Sequence, residues 1–184
     1  YEVALPLLEK YNIPFTVYIT TDFLNSKDLP WWLTLEDYII DNYEVSKEIE
    51  KGKLINNKIL NEIYLKKRLE ILNGKFDLSS LKKYEKITKK RLGERIFINE
   101  NELINLNKSR LVTIGSHTIS HPRLSECNFS KSNYEITKSK MILEKLLNTN
   151  IKHFAYPYGG VKDFQKKDLS ILNKSKFASS VTTI

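Results

Sequence analysis

Short β-branched and aromatic runs alternate with segments of helical periodicity, and this alternation limits the fold more than any other feature of the chain. Apolar residues at 3, 4, 7, 8 and 11 predict a helix from Val3 to Tyr11, with Pro6 near its start, where a missing N–H is tolerated. Asn12-Ile13-Pro14 then turns the chain into Phe15–Ile19, a run of strand length. A second strand is expected at Leu111–Ile114, a third at about His153–Tyr156, and another β-rich run at Phe177–Thr183. Between them lie a long amphipathic helix from Asn128 to about Thr149, carrying Tyr134, Ile136, Met141, Ile142, Leu146 and Leu147, and a shorter one at Gln165–Lys174. Strands joined by crossover helices pair in parallel with right-handed connections, so an α/β layer fold is expected.

From about 25 to 98 the pattern is helical instead. Trp31-Trp32 opens one segment, and others follow at about Asn57–Asn73 and Ser79–Arg91, punctuated by Asn73-Gly74 and Gly93. This stretch reads as a mostly helical insertion between two strands of the main sheet. Trp31 and Trp32 either line a sugar-binding cleft or pack the insertion onto the body.

With 184 residues the chain suits one domain with a substantial core. No run approaches the roughly 18 apolar residues of a membrane span, and the single Cys127 cannot form an internal disulfide. Tyr1 is not a methionine, and the chain reads as cut from something longer. The net charge of +8 is local: residues 66–95 hold eleven basic and four acidic side chains, a net of +7. Such a block either binds an anionic polymer or is a solvated helical face. Lysine dominates it, with few of the arginines and interleaved aromatics that clamp phosphates, so no nucleic-acid partner is expected.

Chemistry concentrates in two segments. In Ile114-Gly115-Ser116-His117-Thr118-Ile119-Ser120-His121-Pro122, two histidines four apart follow a strand. A helical turn there would aim both imidazoles at one point, as zinc and related ions require, with Gly115 allowing close backbone approach. A third ligand, usually a carboxylate, would complete such a site. About 35 residues on, Phe154-Ala155-Tyr156-Pro157-Tyr158-Gly159-Gly160 ends the next strand, placing backbone N–H groups at the carboxyl edge of the sheet, where α/β folds keep their sites. Such an N–H could stabilise an oxyanion. No H-E-x-x-H occurs, which excludes a zincin protease on its own motif. Cys127 and His153 are expected to be structural. Asp163 and Asp168 are candidates to rim the cleft, or, for Asp163, to cap the following helix.

G-S-H-T-x-x-H-P followed by F-A-Y-P-Y-G-G resembles the polysaccharide deacetylase family, the NodB-homology domain of carbohydrate esterases (family 4-like), over Tyr1–Leu24 and Ile98–Ile184. The resemblance implies an α/β fold, an incomplete distorted parallel β/α barrel of the glycoside hydrolase/deacetylase type with a helical insertion. It implies a metal-dependent hydrolase removing acetyl groups from N-acetylated, or O-acetylated, sugars of a polysaccharide or oligosaccharide. It makes His117 and His121 ligands of a divalent metal, with zinc expected and cobalt, nickel or iron fitting the same donors. Tyr158 would offer its backbone N–H to the oxyanion, and Pro157, Tyr158 and Gly159 would contact substrate. A cell-envelope or extracellular setting is also implied.

The family's Asp-Asp pair, one base and one metal ligand, occurs nowhere in residues 1–184 and is expected just upstream of Tyr1. The arginine that opens the family's later motif corresponds to Ala155. A general-acid histidine is expected beyond Ile184, and His153 does not match it. The chain by itself is therefore expected to show little activity and, with open sheet edges, to associate. A catalytically dead carbohydrate-binding relative and a basic module for an anionic polymer are the competing readings.

Overall fold

The computed structural model describes residues 3–26, 28–42, 57–93 and 96–184. Tyr1, residues 43–56 of the expected insertion, and Arg95 of the basic block lie outside the described residues. The chain divides into two compact units, one of residues 1–26 with 97–184, the other of residues 27–96.

The first unit is built on a parallel sheet of four strands: β1 (Phe15–Ile19), β2 (Val112–Ser116), β3 (His153–Ala155) and β4 (Ser179–Val181), in the order β1-β2-β3-β4. Phe15 pairs with Val112 and Ile19 with Ser116, Ser116 pairs with Phe154, and Ala155 pairs with Val181. Sequential order with parallel pairing means that each connection crosses over the sheet, as the alternation of elements requires. Helix α1 (Ala4–Lys10) precedes β1 and buries none of its residues.

In the second unit, α2 (Trp31–Asn42), α3 (Asn57–Leu72), a 3₁₀ turn (Leu78–Tyr84) and α4 (Glu85–Leu92) enclose a core of Leu35, Ile39, Ile71 and Leu81. The expected single helix at Ser79–Arg91 is thus a 3₁₀ turn running into an α-helix. Trp31 packs on this core and meets Trp32 edge to face at 5.6 Å. Asp37 is buried, receiving Arg91 at 3.0 and 3.1 Å and the Thr88 hydroxyl at 2.6 Å. Leu81, Tyr84 and Thr88 face inward while Lys82, Lys86 and Lys90 are exposed, so these lysines form the outer side of an amphipathic segment. Lys89, Lys90 and Arg91 fall in the last turn of α4, where cations complement the helix dipole.

Back in the first unit, α5 (Glu100–Leu106) opens with a capping box between Asn99 and Glu102. Helix α6 (Phe129–Leu147) is capped by Asn128, whose side chain accepts from Lys131 N–H, and it ends at left-handed Asn148. Its buried face differs from the apolar stripe expected from sequence: Tyr134 and Met141 are exposed, while Ser132, Glu135, Ile136, Ser139 and Leu143 are buried. Serine lets the helix lie close to the sheet, where the Ser139 and Ser116 hydroxyls meet at 2.7 Å. Ile19, Ile114, Leu103, Leu106, Leu143, Leu147 and Ile151 form one core cluster. Leu124, Ile136, Phe154, Tyr156, Ile171 and Leu172 form another, closed by α7 (Lys166–Lys174). Each such buried aliphatic side chain contributes about 1.5–3 kcal/mol.

Candidate functional site

Both chemistry-bearing segments leave the same edge of the sheet. Ser116 is the last residue of β2 and Ala155 the last of β3, and in parallel neighbours both are carboxyl ends. His117 continues the β1–β2 ladder for one more step, donating its N–H to Ile19 C=O at 2.9 Å.

The turn that follows is not helical, contrary to the sequence expectation. Thr118 and His121 both take left-handed backbone conformations, with φ of 67° and 60°. Such φ values are uncommon for side-chain-bearing residues and most costly for β-branched threonine, so neighbouring groups must hold them. The Thr118 hydroxyl donates to His117 C=O and accepts the His121 N–H at 3.1 Å. Thr21 and Asp22 N–H groups bond the carbonyls of Thr118 and Ile119, tying the turn to the end of β1. From below, buried Glu135 of α6 accepts the N–H of Ile119 and of Ser120, each at 3.0 Å, and the Ser120 hydroxyl at 2.7 Å. Burial and the Glu135 charge hold the Asp22 carboxyl above its usual range.

This path brings the two imidazoles together, with ring centroids 4.7 Å apart. His117 Nδ1 lies 2.7 Å from Ala155 C=O. A carbonyl only accepts, so Nδ1 carries the proton and the neutral ring presents its lone pair at Nε2. Burial pushes the His117 pKa down, which favours that neutral form. A backbone carbonyl fixing one nitrogen while the other is left to bind is the arrangement of a metal-ligating histidine. Two imidazoles so disposed fit a divalent ion. Among the described residues, no group of three or more His, Cys, Asp or Glu side chains could hold one.

Tyr158 completes the group. Its ring meets His121 edge to face at 4.9 Å, and its backbone is also left-handed, with φ of 64°. Pro157 C=O accepts Gly159 N–H at 2.8 Å, and Gly159 is left-handed with φ of 71°. A Cβ on Gly159 would lie 2.8 Å from Thr183, whose N–H and hydroxyl bond the carbonyls of Gly159 and Tyr158. Gly115 has a different role from the one expected. The Tyr18 ring occupies the space where its Cβ would stand, and His153 C=O would be 3.1 Å away, so it serves strand packing.

Trp31 and Trp32 belong to the other compact unit. His153 begins β3, at the opposite end from the site, with Nδ1 2.8 Å from the Ser179 hydroxyl. Cys127 is buried, its thiol pushed up by that burial. Asp168 is buried in the capping box that opens α7. Asp163 caps no helix; Gln165 does that, while Asp163 accepts Gly160 N–H at 2.9 Å and pairs with Arg123. Neither Glu135 nor Arg123 was marked by sequence. Glu135 keeps register with Ser132 and Ser139 on the buried face of α6, and a carboxylate on such a face is the signal that could have found it.

Comparison with known proteins bears on the family and the fold. A profile of the polysaccharide deacetylase family matches residues 1–174. A de-N-acetylase from Aggregatibacter actinomycetemcomitans superposes with a TM-score of 0.56 at 13% identity, over 98% of this chain and 57% of that one. The Streptococcus pyogenes deacetylase PplD, solved with acetate, is 24% identical over 52% of this chain and 40% of its own, with a TM-score of 0.44. The chain thus spans about half the length of these solved relatives. Among curated proteins, none matches it.

Proposed function

Because the chain belongs to the polysaccharide deacetylase family, we propose that the His117–His121 turn and the Tyr158 turn are parts of a hydrolytic site that removes acetyl groups from a polysaccharide or oligosaccharide. The observation that carries this is the bond from His117 Nδ1 to Ala155 C=O, which joins the two segments and leaves Nε2 of a ring centred 4.7 Å from that of His121 to bind. His117 and His121 would hold a divalent ion, zinc by preference. When bound, such an ion supplies Lewis acidity toward the acetyl carbonyl and lowers the pKa of water.

The rest is work for the chain's own groups. The Ala155 carbonyl fixes the His117 tautomer, and Glu135 with Thr118 holds the turn that carries His121. The Tyr158 backbone N–H is assigned to the developing oxyanion, and Pro157 and Gly159 shape that turn against the acetyl group. No Asp-Asp pair occurs in residues 1–184, and loss of a general base costs about 10²–10⁴-fold in rate. A polypeptide of these residues alone should therefore release acetate slowly or not at all.

The test combines zinc titration with acetate release from N-acetylglucosamine oligomers by the full-length protein. His117→Ala and His121→Ala should each weaken zinc binding by at least about 100-fold and abolish acetate release. Unchanged zinc affinity in both variants would remove the metal site. Zinc and glycan binding by the wild type without acetate release would leave a carbohydrate-binding relative in place of an enzyme.

A further inference from the structure

Two residues beyond His121, Arg123 places its Nε 3.0 Å from Asp163 Oδ1, with the two side chains only 16% and 15% exposed. Asp163 lies five residues beyond Tyr158, so this ion pair bridges the two segments of the site. Its other oxygen accepts Gly160 N–H at 2.9 Å, and its carbonyl accepts Ser125 N–H at 2.9 Å. Gly160 is seated so closely that a Cβ there would lie 2.8 Å from Asp163 Oδ2. The Arg123 guanidinium stands 6.0 Å from the centre of the Tyr158 ring, whose edge meets His121, and a further Nη1 contact reaches Glu126 at 2.9 Å. Thr183 holds the same turn from its other side.

We propose that Arg123 and Asp163 are a positioning pair that sets the Tyr158 turn against the histidine turn. The proposal rests on reading Tyr158 as the oxyanion side of a deacetylase site. A left-handed tyrosine costs free energy to hold, and a displacement of about 1 Å in a catalytic group can cost about 100-fold in rate. The guanidinium arrives from the histidine segment and orients the oxyanion turn. The pair acts on the Tyr158 turn, so it sets turnover more than metal affinity.

In the full-length protein, with N-acetylglucosamine oligomers as substrate, Arg123→Gln and Asp163→Asn should each lower kcat by about 10–100-fold. KM and zinc affinity should stay within about threefold, because neither substitution replaces a proposed ligand. The double variant should be no slower than the worse single variant, since both remove one bridge. Arg123→Lys, which keeps the charge and guards against a folding failure, should fall between wild type and Arg123→Gln. Unchanged kcat, zinc affinity falling in step with kcat, or losses that multiply in the double variant would each overturn the proposal. If the wild type releases no acetate, the deacetylase reading fails separately. The pair is then judged by amide hydrogen exchange: Asp163→Ala must speed exchange at Gly160 by at least about tenfold without changing Ile119, and equal exchange at Gly160 refutes it.

Discussion

Glu135 is a carboxylate with almost no exposure, and such a group persists in a fold only when donors replace the water it has lost. Three do: two consecutive backbone N–H groups and the Ser120 hydroxyl, all from the turn between His117 and His121. The turn needs them because Thr118 and His121 hold conformations their side chains disfavour. Removing the carboxylate strands buried donors, at a cost nearer that of charged hydrogen bonds than neutral ones. Glu135→Ala should therefore destabilise the fold by about 2–4 kcal/mol in urea titration and weaken zinc binding by about 10–100-fold. Glu135→Gln keeps one acceptor and should recover part of both losses. A Glu135→Ala protein with full zinc affinity would show that the histidines are placed without it.

At the scale of elements, strand positions were legible because they depend on local composition. Phe15–Ile19 is a strand in sequence and in structure alike, and β2 and β3 fall within two residues of their expected bounds. The histidine pair was legible for the same reason: both residues lie on one short segment. What stayed hidden depends on partners far apart in sequence, such as Arg123 with Asp163, or Glu135 with Ser120. The burial of Ser132 and Ser139 in place of Tyr134 and Met141 was hidden too, since helix–sheet distance decides it. Helix α5 is a different case, because its Asn99–Glu102 capping box was readable and went unassigned. Gly115 shows how an element can mislead about a site. Its lack of a side chain looks like room for a metal, yet the Tyr18 ring of the adjacent strand fills that room. Gly115→Ala should thus cost about 1–3 kcal/mol through overpacking, measured by urea denaturation. In a Tyr18→Leu background the same change should cost less. Equal cost in both backgrounds would place the strain elsewhere.

Among the described residues, three core clusters share no buried residue, one around Leu35 and Ile39 and two around the sheet. Both tryptophans of the chain, Trp31 and Trp32, lie in residues 27–96, whereas His117 and His121 lie in the other unit. Tryptophan fluorescence therefore follows one unit, and the zinc proposed for His117 and His121 would act on the other. A ligand at 100 times its dissociation constant stabilises the folded state it binds by about 2.7 kcal/mol. For a unit of this size, that amounts to a rise of roughly 10 °C in unfolding midpoint. If the units unfold independently, zinc should raise the midpoint seen by circular dichroism of the sheet unit and leave the tryptophan midpoint where it was. His121→Ala should erase the first shift without touching the second. A tryptophan midpoint that climbs together with the sheet would mean that the separate cores melt as a single cooperative body. The same experiment would then report, through residues remote in sequence from the histidines, that the ion had bound.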